Sequence, residues 1–266
     1  MTSEQTPRRE DAKDDRSHLL TAREGGVFTI TLNRPETRNA ISIRMIGWLK
    51  AALLEADLAA DVRVVAIRGA GKDFCAGLDL HELLESADLT PEQNEQRAWE
   101  FGELFIALRT LPKVTVAIVE GRALAGGCGL ATACDLVLAK AGARFGYPEI
   151  NRGFVPAMVM TMLRRIVGEK VAFDLAATGR LLDAAEAERL GLVSRVLPAE
   201  TFEEELKRFL AYLASLSPSA LALTKRQFYQ LDGLSLEDGV KLGAKVNAVA
   251  RATPDFKSAI AAFLRK

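Results

Sequence analysis

The sequence predicts an α/β protein with a strand-and-helix core followed by a purely helical C-terminal part. Two observations carry this. Short β-branched runs alternate with capped helical stretches as far as Leu197. After Pro198 no strand pattern remains, and helices are expected at 199–216, 218–231, 236–252 and 254–265. With 49% hydrophobic and 26% charged residues, the 266-residue chain has enough apolar material for a full core. The expected division is a disordered tail at 1–17, a core at 18–198 and a helical region at 199–266.

The elements follow from local chemistry. Residues 1–17 hold nine charges and few apolar side chains, which is why a disordered tail is expected. Val27 to Leu32 alternates and is β-rich, so it reads as a strand. Ser42 can cap a helix running to about Ala59. Arg63 to Arg68 reads as a buried strand ending in Gly69-Ala70-Gly71. Asp79 with Glu82 resembles a capping box, and Thr90-Pro91 starts a helix reaching about Thr110. Val114 to Val119 is an apolar strand. Ala125 to Cys134 is small and apolar throughout, so a helix packed on all sides is expected. Asp135 to Ala139 is a further strand, and Arg144 to Tyr147 an extended piece ending at Pro148. Helices at 156–167 and 169–178 stop at Gly168 and Gly179, and Asp183 caps a short helix ending at Gly191. Val193 to Leu197 is the last strand.

Several function classes are disfavoured. Thirty-five basic residues balance 35 acidic ones, so no overall field attracts nucleic acid or an anionic membrane. No uncharged apolar run reaches the roughly 20 residues of a membrane span. Met1 to His18 lacks the apolar stretch of a signal peptide, and a cytoplasmic protein is expected. Cys75, Cys128, Cys134, His18 and His81 form no ligand spacing, so no metal site is expected and the thiols read as buried and reduced. Gly71-Lys72 is followed by Asp73, which fails the phosphate-loop pattern. Gly127-Cys128-Gly129, with Glu149 downstream, imitates a dinucleotide fingerprint. The third small position is Thr132, however, and the tight strand-to-helix spacing is lost. There is no GxSxG sequence, and neither histidine is placed to serve a hydrolytic triad.

Three segments carry candidate chemistry. Gly69 to Leu80 ends a strand in glycines and feeds a capped helix through Ala76-Gly77, a turn able to leave N–H groups free near Leu78. Gly121 to Leu130 feeds a helix N-terminus near Gly126, where unpaired N–H donors and a partial positive charge gather. Each alone is also explained as a tight turn or close helix packing. Together they could form an oxyanion hole. In Phe145-Gly-Tyr-Pro-Glu149-Ile, apolar flanks would raise the carboxyl pKa and suit Glu149 to acid/base work; a glutamate in the first turn of a helix explains it equally well.

The ordered set Asn33-Arg-Pro-Glu…Asn39-Ala40, Phe74-Cys-Ala-Gly-Leu-Asp79, Gly121…Ala125-Gly-Gly-Cys, Phe145-Gly-Tyr-Pro-Glu149, Thr178-Gly-Arg180, Ala184…Ala187 and Gly191-Leu-Val193 resembles the enoyl-CoA hydratase/isomerase, or crotonase, superfamily from Val27 to Lys266. The resemblance implies a crotonase-like spiral of β-β-α units and a helical C-terminal trimerisation region, as a homotrimer or dimer of trimers. It also implies a coenzyme A thioester as substrate, the coenzyme being part of that substrate rather than a resident cofactor. Leu78 and Gly126 match the oxyanion-hole N–H positions, and Glu149 matches a catalytic glutamate. Thr37, Arg38, Ala40, Ala76, Asp79, Leu80 and His81 match positions along the coenzyme. Phe263 and Lys266 match C-terminal positions that reach a neighbouring subunit's coenzyme.

Two departures stand out. The first of the two glutamates of family hydratases falls at Gly129, and Val155-Pro-Ala-Met-Val159 replaces a common Gly-Gly turn. Met158, Met160 and Met162 are read as core packing, with a reshaped acyl pocket as the alternative. The expected activity is lyase or isomerase chemistry on an enoyl-CoA, by hydration or a double-bond shift. The competing reading is an acyl-CoA-binding protein with lost or altered chemistry. Asp79 and Glu103 are possible stand-ins for the missing glutamate, Asp79 being better explained as a helix cap.

Overall fold

The computed structural model describes residues 15–265. Lys266 and residues 1–14 of the expected tail lie outside them. The strands are β1 (Leu19–Glu24), β2 (Val27–Leu32), β3 (Val64–Gly69), β4 (Val114–Val119), β5 (Arg122–Leu124), β6 (Leu136–Lys140), β7 (Arg144–Gly146), β8 (Leu181–Asp183) and β9 (Arg195–Leu197). The main sheet runs β1-β2-β3-β4-β6-β9, with β1 antiparallel to β2 and the remaining pairs parallel. A second sheet has the order β5-β7-β8.

The main sheet is covered on both faces, which is why β4 is buried along its whole length. Alternation decides which side chain meets which layer. Val65 and Ile67 of β3, with Ala117 and Val119 of β4, face the larger core. Val64, Ala66, Val116 and Ile118 face Phe202, Leu206, Leu210 and Leu213 of α8 (Phe202–Ser215).

On the larger-core side lie α1 (Ile43–Leu58), α2 (Leu80–Glu85), α3 (Pro91–Thr110) and α4 (Gly126–Ala133), followed by α5 (Ala157–Val167), α6 (Glu169–Thr178) and α7 (Ala184–Arg189). Ser42 caps α1 by accepting from the Met45 N–H, and Thr90 and Gln93 complete a reciprocal capping box on α3. All eight residues of α4 are buried, as its small side chains predict.

Three strands lack the alternating or apolar run that marks the others. β5 and β8 are three residues each, and β1 is an exposed edge strand without alternation. The capping box expected at Asp79 is also only half right. The Asp79 carboxylate caps the His81 N–H, but the Glu82 carboxylate accepts instead from the Ile43 N–H at the start of α1 (2.6 Å).

The C-terminal helices are α8, α9 (Pro218–Gln230), α10 (Leu236–Ala252) and α11 (Pro254–Phe263). Neither α10 nor α11 buries a residue within the chain. No helix of the described residues is long and apolar enough to cross a membrane.

Candidate active site

Four distant segments are laid side by side by backbone hydrogen bonds. The Arg38 carbonyl accepts from the Ala76 N–H (3.0 Å), the Gly77 carbonyl from the Ile41 N–H (2.8 Å), and the Ile41 carbonyl from the Asp79 N–H (2.9 Å). Cys75 pairs on its other side with β5, its N–H donating to Arg122 (3.1 Å) and its carbonyl accepting from Leu124 (2.9 Å). The Ala125 N–H then donates to the Gly146 carbonyl of β7 (2.9 Å). Buried Asn39 holds the first segment in a left-handed turn (φ 57°). Its side chain accepts from the Arg34 N–H and donates to the Ala70 and Asp73 carbonyls. The Asp73 carboxylate, also buried, secures β5 by accepting from the Arg122 N–H (2.9 Å) and Nε (3.1 Å).

This weave places two unused donors together. Neither the Leu78 N–H nor the Gly126 N–H has a protein acceptor among the described residues. A Cβ built on Gly77 would lie 3.4 Å from the Gly126 nitrogen, and one on Gly126 would lie 3.6 Å from Leu78 Cγ. Gly77 has φ 108°, which favours glycine. Ala125 is held at φ 50°, ψ −130°, a strained conformation for a residue with a Cβ. That strained residue turns the chain into α4, whose N-terminal dipole favours negative charge at Gly126.

Glu149 sits in a 3-10 turn, Pro148–Arg152. Leu124 pairs with Gly146, so the Ala125–Gly126 turn and the glutamate turn leave neighbouring strands at the same end. Buried Tyr147 anchors the turn to α4 through its hydroxyl and Thr132 Oγ1 (2.8 Å); Thr132 in turn donates to the Cys128 carbonyl. Glu149 Oε2 is buried without a hydrogen-bond partner. Desolvation raises its pKa above the ordinary 4.5, opposed by a local backbone hydrogen bond and by Arg152.

The position of the missing glutamate is filled. A Cβ on Gly129 would fall 2.2 Å from Val159 Cγ1 and 3.2 Å from the Phe105 ring. The stand-ins are occupied elsewhere: Asp79 pairs with Arg34 (3.0 Å) and Glu103 with Lys50 (2.7 Å). Beside this wall, between α3 and α5, is a cavity of about 810 Å³ whose lining includes Trp99, Phe105, Met158 and Met162. Met162 is buried, Met158 half-buried and Met160 exposed, so the methionines divide between core, cavity wall and surface.

The sequence-predicted residues Thr37, Arg38 and Ala40 join Ala76, Leu78 and Asp79 in the woven loops, with Leu80 and His81 exposed at the start of α2. Phe263 lies apart on α11, 74% exposed. The sequence marks Val159 only as the end of a departing segment and Phe105 only as a helix residue, because apolar residues on a helix give no sign of which glycine they cover. The three thiols are buried and free; burial pushes Cys75 and Cys134 up to about 12 and Cys128 to about 11, which suits inert core residues.

The family model for enoyl-CoA hydratase/isomerase matches residues 22–266. The chain belongs to that family. It is 44% identical over 93% of its length, and 98% of the relative's, to a Thermus thermophilus protein whose name places it provisionally among the enoyl-CoA hydratases. It is 35% identical to the 2,3-dehydroadipyl-CoA hydratase of Escherichia coli, covering 94% of this chain and 96% of that one. The solved enoyl-CoA hydratase of Mycobacterium smegmatis superposes with a TM-score of 0.89 at 33% identity, over 93% of this chain and 96% of that one. The crotonase-like fold class expected from the motifs is therefore the fold of this chain. The family acts on acyl-CoA thioesters.

Proposed function

We propose that this chain is an acyl-CoA thioester enzyme that stabilises an enolate between the Leu78 and Gly126 N–H groups and moves protons with Glu149. The observation that carries the reading is the apposition of two unpartnered N–H donors next to a loop bearing an unpartnered buried carboxylate oxygen. The thioester oxygen becomes negative when a proton leaves the adjacent carbon. Two N–H groups and a helix N-terminus then meet charge that exists only in the transition state and intermediate. Removing one such donor typically costs about 100- to 1,000-fold in rate.

Hydration of a 2-enoyl-CoA and a double-bond shift both pass through this enolate. The names of the relatives favour hydration, whereas Gly129 favours a reaction with one carboxylate. Thr37, Arg38, Ala40, Ala76, Asp79, Leu80 and His81 are proposed to line the coenzyme. Phe263 and Lys266 are proposed to reach the coenzyme of a neighbouring subunit in a cytoplasmic homotrimer or dimer of trimers. No resident cofactor is required.

The test is Glu149→Gln. Turnover of 2- and 3-enoyl-CoA substrates is expected to fall about 100- to 10,000-fold, the usual worth of a general acid/base, while coenzyme A binding by calorimetry is retained. Undiminished turnover would overturn the assignment. Tight acyl-CoA binding by the wild type with no turnover of any enoyl-CoA would instead favour the binding-protein reading.

A further inference from the structure

We infer that Val159 sets the reaction class: it fills the space of a second carboxylate, and the chain shifts a double bond rather than adding water. The inference rests on the thioester reading above and goes beyond it by naming the residue that decides between its two outcomes. Gly129 lies one turn beyond Gly126 on the same face of α4. Side chains on a helix lean toward its N-terminus, so a carboxylate at 129 would reach back toward the Gly126 N–H and the bound thioester. Val159 Cγ1 stands 2.2 Å from where that side chain would begin, and the Phe105 ring closes the same space at 3.2 Å. Val159 is buried within α5, and a β-branched residue in a helix has essentially one χ1 position, so it cannot swing aside.

The consequence for water is direct. A held water needs two to four polar partners. Glu149 offers one, its unpartnered Oε2, but both groups occupying the place of a second carboxylate are hydrocarbon and offer none. A proton shift needs no other partner. Ionised Glu149 takes a proton from C2 of a 3-enoyl-CoA; the C–H electrons form the C1–C2 double bond of a dienolate, and the carbonyl electrons move to the oxygen that the two N–H groups hold. As the dienolate collapses, the oxygen re-forms the carbonyl, the C1–C2 pair becomes the C2–C3 double bond, and the C3–C4 pair takes the proton at C4 from neutral Glu149. The product is the isomeric 2-enoyl-CoA. No atom is gained or lost, and the carboxylate is regenerated.

The experiment offers crotonyl-CoA and 3-hexenoyl-CoA to the wild type, to Gly129→Glu, to Val159→Gly and to Gly129→Glu/Val159→Gly in H2(18)O, with products read by mass spectrometry. The wild type is expected to isomerise 3-hexenoyl-CoA and to add no labelled water. Gly129→Glu alone is expected to melt at a lower temperature than the wild type. The double variant is expected to form labelled hydroxyacyl-CoA, raising its hydration-to-isomerisation ratio by about 100-fold or more over both the wild type and Val159→Gly. Hydration by the wild type at a rate matching isomerisation would overturn the inference while leaving the thioester reading intact. A folded double variant that isomerises but gains no hydration would overturn it too. Wild-type inactivity on both substrates would instead overturn the thioester reading beneath it.

Discussion

Glu149 holds a buried carboxylate oxygen with no protein partner, an arrangement that costs folding free energy and suits the proton transfer proposed for it. Its folded-state pKa is raised, chiefly by desolvation. A group with a raised folded pKa binds its proton more tightly when folded. That contribution to stability is complete below the unfolded value and is lost as pH rises through the folded one. At neutral pH the ionised side chain therefore weakens the fold relative to an uncharged isostere. Glu149→Gln is expected to melt above the wild type at pH 7, with the gap closing as the pH falls toward the ordinary 4.5. Equal melting temperatures at both pH values would remove the assigned desolvation. In the wild type the base must be ionised, so the acid limb of kcat/KM is expected to have its midpoint above 4.5, and the residual rate of Glu149→Gln should lack that limb.

Among the elements, α9 is tied to the sheet by one buried cation. Lys225 is 7% exposed. Its Nζ pairs with Asp135 Oδ2 (2.7 Å) and donates to the Leu108 (2.7 Å) and Lys113 (2.9 Å) carbonyls. Asp135 is further held by the Thr115 N–H and hydroxyl and by the Tyr229 hydroxyl. Desolvation lowers the Lys225 pKa, and Asp135 opposes that shift. Removing one partner leaves the other buried and uncompensated, so Lys225→Met is expected to lose about 3–5 kcal/mol in urea unfolding. A loss below about 1 kcal/mol, the range of an exposed pair, would show that α9 is held by packing alone. The residues from Ser217 to Tyr229 read from sequence only as a helix; nothing in their spacing marks Lys225 as buried.

For the whole molecule, the helical C-terminus makes little sense as a lone surface. Phe256, Ile260 and Phe263 of α11, with Leu264 at its C-cap, form an exposed stripe at helical spacing, and Leu236 and Val240 are exposed on α10. This is the surface that the proposed trimer would cover. Sedimentation velocity is expected to give a trimer or twice that mass for the wild type, and a smaller species for Ile260→Glu/Leu264→Glu with the far-ultraviolet circular dichroism preserved. A wild-type monomer at micromolar concentration would overturn the assembly and, with it, the role proposed for Phe263.

Much of the fold was legible because its causes are local. Val27 to Leu32 alternates, Ser42, Thr90 and Asp183 cap their helices, and a run of small side chains with nothing larger than Leu130 makes α4 a helix that can be buried on every side. Even the edge strand β1, which lacks alternation, has a local marker: Gly25-Gly26, both at positive φ, form the two-residue turn of a β-hairpin. The ordered motifs located the woven loops for the same reason, since each is a turn or a cap that its own residues require. Tertiary structure alone decided the rest. Whether Leu78 and Gly126 point spare donors into one space depends on hydrogen bonds among four separated segments. Whether Glu149 lacks a partner, and what stands over Gly129, depend on which side chains other segments bring there. Desolvation and close packing are properties of the assembled surroundings, so a glycine on α4 and a valine on α5 carry no mark of each other until the helices meet.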